Sequence, residues 1–87
     1  MKFELLTELS PEEVIRRADE YYKQHTGLNV DERADEVLEL SGAIGTAKVT
    51  AHRDHGGHTT VYVETDRGVG FDVTDQTLRF LYSLPHV

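Results

Sequence analysis

Three of the chain's five histidines fall within seven residues, His52-Arg53-Asp54-His55-Gly56-Gly57-His58. Imidazole nitrogens and a carboxylate gathered in one place make a ligand set for zinc or nickel. Whether they gather depends on the turn between them. Val49 and Ala51 before it, and Val61 and Val63 after it, must face one core, and paired residues share a face of the sheet. Ala51 then pairs with Val61, and counting inward leaves His55-Gly56-Gly57 as a three-residue loop. A two-residue Gly56-Gly57 turn would expose one apolar set. The register puts His52, Asp54 and His58 on the outer face of the hairpin tip. Asp54 lies opposite His58, and His52 is diagonal to it at about 7 Å or slightly less between β-carbons. These three are the candidate metal ligands. The competing reading is a solvated tip with an ion pair. No known zinc spacing is matched, and a hairpin tip lacks the rigid surroundings that orient metal ligands.

The other groups with chemical potential are weaker. Asp31-Glu32-Arg33-Ala34-Asp35-Glu36 has carboxylates for a hard cation but no calcium-loop spacing, so a solvated loop is the plainer reading. Gly42-x-x-Gly45 lacks the Lys-Ser/Thr of a phosphate loop and lies between two strands. Neither Ser10 nor Ser41 has a histidine and carboxylate that the pattern brings near. Arg53 has inward parity at the sheet end, where it either snorkels over the core rim or anchors an anion. Tyr21 and Tyr22 are neighbours on one helix, so only one can point fully inward.

The elements that position these groups follow from period and punctuation. Phe3 to Leu6 alternates as a short strand with Phe3 and Leu5 on one face. Ser10 is a preferred N-cap, Pro11 suits the first helical position, and Glu13 stands where a capping box has its carboxylate. Leu9 and Val14 form a hydrophobic staple, and Gly27 supplies a left-handed stop, giving a helix over 11–26. Residues 28–34 read as a polar connection and 36–40 as a strand with Leu38 and Leu40 inward. The flanking apolar parities of the 41–45 turn disagree, which calls for a bulge. A second three-residue loop, Asp66-Arg67-Gly68, would pair Val63 with Phe71 and Val61 with Val73. Thr74 or Asp75 then caps a closing helix that ends before Pro85.

The expected fold is α+β, in the order β-α-β4-α, with an antiparallel sheet and two helices packed on one face. It forms one domain over residues 1–87, since a chain this short supports one core. This order resembles the fold shared by the TATA-binding-protein repeat and the helix-grip (Bet v 1, START) superfamily. Ser10-Pro11-Glu12-Glu13 opening the first helix and Phe80-Leu81-Tyr82-Ser83-Leu84-Pro85 closing the chain are similar to stretches in small bacterial proteins. The helix-grip resemblance implies a ligand cavity under the closing helix. A three-turn helix and large inward residues leave little room for the usual ~300 Å³.

Composition narrows the partners. A net charge of -7 repels polyanions, so neither nucleic acid nor an anionic membrane is expected as a partner. The chain has no cysteine, which excludes disulfides and thiolate chemistry. No apolar run approaches the ~20 residues of a spanning helix, and Glu4 interrupts any leader-like stretch, so a cytoplasmic location is expected. Leu78 to Leu84 holds five large apolar residues in seven positions. One helix face cannot bury them all, so a strip at Phe80 and Leu84 is expected to drive homodimerisation. The functional expectation is a non-enzymatic binding or interaction module. The alternative is a metal- or small-ligand-binding protein, conceivably an enzyme, built on His52, Asp54 and His58.

Overall fold

The Ser10 hydroxyl accepts the Glu13 amide at 3.2 Å and starts the first helix, α1 (Pro11–His25). Thr26 closes it by donating its amide to the Tyr22 carbonyl, and Gly27 follows at φ +72°, the left-handed conformation that glycine adopts without penalty. A computed structural model describes residues 1–54, 56–67 and 73–85. The elements run β1 (Lys2–Thr7), α1, β2 (Asn29–Arg33), β3 (Val37–Gly42), β4 (Gly45–Arg53), β5 (Thr59–Arg67) and α2 (Val73–Ser83). The five strands form one antiparallel sheet in the order β1-β5-β4-β3-β2.

The β4–β5 hairpin has the expected register. Ala51 is opposite Val61, Val49 is opposite Val63, and the loop spans 55–57. Asp54 donates its amide to the His58 carbonyl at 2.8 Å, and Gly57 donates back to the Asp54 carbonyl at 3.2 Å. Gly57 sits at φ +84°, as a type I turn with a glycine bulge requires.

Three expectations need correction. Residues 29–33 are a strand rather than a connection, and the register shift lies here, between Val30 and Glu32. The β3–β4 turn needs no bulge: Gly42 pairs with Gly45, leaving Ala43 and Ile44 as a two-residue turn. A two-residue turn pairs even-numbered with odd-numbered positions, so Leu38 and Leu40 share a face with Val49 and Ala47 without a bulge. The last hairpin is replaced by a long-range pairing. Val63 lies between Phe3 and Val49, and Val61 between Leu5 and Ala51, so both edges of β5 are occupied. Val73 opens α2, one or two residues before the expected cap, and Phe71 lies outside the described residues.

One core holds the fold together. Leu38, Leu40, Ala47, Val49, Ala51, Val61 and Val63 of the sheet cluster with Val14, Ile15, Ala18 and Tyr22 of α1 and with Val73, Phe80 and Leu81 of α2. Phe3 and Leu5 of β1 pack against it while only partly buried. Between the helices, the Tyr22 hydroxyl meets the Thr77 hydroxyl at 2.5 Å, both side chains fully enclosed. Tyr22 and Tyr21 lie 5.9 and 5.6 Å from the Phe80 ring, within the range for favourable aromatic pairs. Phe80 and Leu84 are buried within their own chain, at 1% and 2% exposure. The exposed strip expected on this helix is absent, and Tyr82 is the residue that faces out.

Candidate functional site

At the hairpin tip the side chains of His52, Arg53 and Asp54 have local partners. The Asp54 carboxylate accepts the Gly56 amide at 2.8 Å and the His58 amide at 3.1 Å, the Asx-type bonding that shapes a turn. His52 Nδ1 lies 3.2 Å from Glu36 Oε2 on the neighbouring strand connection. Arg53 does not enter the core rim; it is exposed and donates to the Gly57 carbonyl at 2.9 Å. Among the described residues no three His, Asp or Glu side chains are grouped as a metal ion requires. His55 lies outside them.

The acidic run is divided by the fold. Arg33 turns back from β2 and pairs with Asp19 of α1, a carboxylate only 5% exposed. Lys23 Nζ stands 3.2 Å from the other Asp19 oxygen, within ion-pair reach but not aligned as a hydrogen bond. This buried carboxylate pins the otherwise exposed β2 to α1. The remaining acids are exposed, with Glu36 beside His52 and Glu32 beside Glu39.

The outer face of the sheet carries a transverse row of charge. Glu32, Glu39, Lys48, Glu64 and Lys2 lie directly opposite one another across β2, β3, β4, β5 and β1. Signs alternate along the row except at Glu32–Glu39. There, hydrogen bonding to the Glu32 carboxyl, then partial burial and the Glu32 charge, hold the Glu39 carboxyl above its ordinary pKa. Beside this row a shallow depression of about 310 Å³ is bordered by Asp31, Glu39, Thr46, Lys48, Glu64 and Asp66. Nearer the tip the face is less charged: Glu4 is opposite Tyr62, Leu6 opposite Thr60, and Tyr62 opposite Thr50. Tyr62 and Leu6 are 47% and 40% exposed. Thr74 belongs to α2 and is buried, and Gly70 and Asp72 lie outside the described residues.

The two sheet edges differ. β2 is five residues long, interrupted by its register shift and rich in acid, all features that discourage edge pairing. β1 has six residues and no shift in register. Met1 and Thr65 exchange both main-chain bonds, at 2.6 and 2.8 Å. Bonded and non-bonded pairs alternate along an antiparallel ladder. Phe3, Leu5 and Thr7 therefore continue the bonded set, while Lys2, Glu4 and Leu6 aim their N–H and C=O groups away from the sheet. Among the described residues none bonds to them. Sequence reasoning missed this edge because it gave β1 no partner strand. The alternation Lys2-Phe3-Glu4-Leu5 was the available signal.

Elsewhere, acidity is displaced where partners explain it. Glu13 is lowered to about 2 by hydrogen bonds from Arg16 and Arg17, and Arg16 is raised by Glu13 in return. Burial pushes Tyr22 up to about 12, partly offset by its bond to Thr77. No family model and no curated protein sequence matches the chain. Among the described residues no helix is long and apolar enough to cross a membrane.

Proposed function

We propose that this chain is a non-catalytic interaction module, and that its partner surface is the open edge of β1 with the adjoining outer face around Leu6 and Tyr62. The inward side chains of the sheet cluster with α1 and α2, while Leu6 and Tyr62 are exposed on this face. The observation that carries the reading is the unsatisfied β1 edge. Folded proteins generally blunt an edge strand with bulges, proline or inward charges, because unpaired main-chain groups recruit another strand. β2 is blunted by its register shift and its run of acids, whereas β1 has no bulge and no proline and its two charges, Lys2 and Glu4, are of opposite sign. A strand added beside β1 would gain main-chain hydrogen bonds at Lys2, Glu4 and Leu6, and side chains on Leu6 and Tyr62 would contribute selectivity.

The displaced acidities have local structural causes. Glu13 and Arg16 pair on the exposed surface of α1, Tyr22 is sealed in the core, and Glu39 lies on open sheet. None of these sits in a closed cleft of the kind that tunes a general acid or base.

The test is selection of binders from a random library of extended peptides, followed by amide chemical-shift and hydrogen-exchange mapping. Binders should shift and protect the amides of Lys2, Glu4 and Leu6 and move the Tyr62 ring. Binders that map instead to the helices or to the 52–58 tip would refute the assignment of the surface.

A further inference from the structure

The β1 edge is complementary to itself. We propose that its partner is a second copy of this chain, added antiparallel across a twofold axis at Phe3, with Lys2 of each copy opposite Glu4 of the other. The proposal rests on the reading of β1 as the interacting edge and names its occupant.

Three features select this arrangement. The first is main-chain geometry. Lys2 and Glu4 both direct their N–H and C=O groups to the open edge, so in this register each Lys2–Glu4 pair exchanges two hydrogen bonds. The second is charge. Lys2 stands at the end of the row Glu39–Lys48–Glu64–Lys2, and a Glu4 carboxylate from the other copy continues its alternation. The third is the inward face, where the same register sets Phe3 against Phe3 and Met1 against Leu5. Phe3 and Leu5 are only partly buried within one copy, and Met1 is 72% exposed. The joint thus matches opposite charges on one face and apolar side chains on the other.

A shift of the second copy by two residues would add one more bonded pair. It would also place Glu4 directly opposite Glu4, and like charges opposed across strands destabilise the pair. Pairing β1 with β2 is opposed by the shift and the acids of β2. It would also be a head-to-tail contact, with no closure into a dimer.

The experiment uses the intact chain and two single charge reversals, Lys2→Glu and Glu4→Lys. The wild type should show a concentration-dependent mass rising from 9.8 kDa toward twice that value by light scattering or sedimentation. Amide exchange at Lys2 and Glu4 should slow as it does so. Each variant alone places like charges opposite each other twice, so its dissociation constant should rise at least about tenfold. An equimolar mixture of the two variants restores Lys–Glu opposition at both positions and should dimerise again, which also shows that both variants are folded. A wild type that stays at 9.8 kDa up to about 1 mM overturns self-pairing while leaving the edge to a different partner, which the peptide mapping decides. A dimer unaffected by Lys2→Glu overturns the register. A dimer in which the Lys2 and Glu4 amides stay unprotected overturns both the register and the assignment of the edge.

Discussion

Replacing Tyr22 by Phe should weaken the protein near neutral pH and strengthen it, relative to wild type, in strong alkali. The Tyr22 hydroxyl is enclosed between the helices with Thr77 as its partner at 2.5 Å. Tyr22→Phe leaves the buried Thr77 hydroxyl without that partner, at a cost of about 1–2 kcal/mol. Ionisation runs the other way. The folded-state pKa is raised from 10.0 to about 12, chiefly by burial, so the folded protein holds this proton more tightly than the unfolded chain does. The resulting stability is fully present below pH 10 and is lost as pH rises from 10 toward 12. The loss is about 1.4 kcal/mol at pH 11 and approaches about 2.7 kcal/mol at the top of the window. Phenylalanine has no proton to lose, so the two stability curves should cross near pH 11. Denaturant midpoints at pH 7, 9, 10.5 and 11.5 would locate the crossing. Taking the difference between the proteins removes the lysine titrations common to both. A stability difference that stays constant from pH 9 to 11.5 would refute the claim that burial holds the phenol neutral. A Tyr22→Phe/Thr77→Val double variant should be less unstable at pH 7 than the two single losses added, because no hydroxyl is then stranded.

Phe80→Ala should cost about 3–5 kcal/mol by chemical denaturation, a large share of the roughly 4–13 kcal/mol expected for a domain of this length. Glu39→Gln should raise the melting temperature at pH 7, because its raised pKa marks a carboxylate that folding disfavours. The gain should vanish below about pH 4, where the carboxyl is protonated in either state. Asp54→Ala should speed amide exchange at Gly56 and His58 and cost about 1 kcal/mol by removing the turn's acceptor. Zinc or nickel should leave the melting temperature unchanged while Asp54 stays bound to those amides. A metal-induced rise that His52→Ala/His58→Ala abolishes would show that the tip reorganises into a site, since about 100 times the dissociation constant in free metal adds about 2.7 kcal/mol.

The parts of the fold legible in the sequence were those encoded over a few residues. Ser10, Pro11 and Gly27 marked the ends of α1, and the parity of Val49, Ala51, Val61 and Val63 required the three-residue loop that places Gly57 at positive φ. β2 was illegible because all five of its residues are exposed, so no alternation records a buried face. It is a strand because β3 offers an edge and Asp19 holds Arg33. The position of β5 was misjudged for a different reason. Local parity is satisfied equally well by a hairpin to Phe71 and by a pairing with β1, and only assembly of the whole sheet decides between them. The same limit hid the candidate surface, because an edge is defined by the strands that are not beside it. Of the tip residues conspicuous in sequence, Asp54 proved to accept the amides of its own turn and His52 to lie beside Glu36.

The β1–β5 pairing also imposes an order on events at the ribosome. Leu5 is made 56 positions before its partner Val61. At about 5–20 residues per second, β1 must wait about 3 to 11 s before its place in the sheet exists. During that interval α1 and the β2–β4 strands can form, but β1 lacks its neighbour β5. The nascent chain thus carries a short amphipathic strand, Lys2 and Glu4 alternating with Phe3 and Leu5, with both sides open. In refolding, β1 should likewise dock after the β3–β4 and β4–β5 hairpins have formed, so substitutions in β1 should slow refolding less than they speed unfolding.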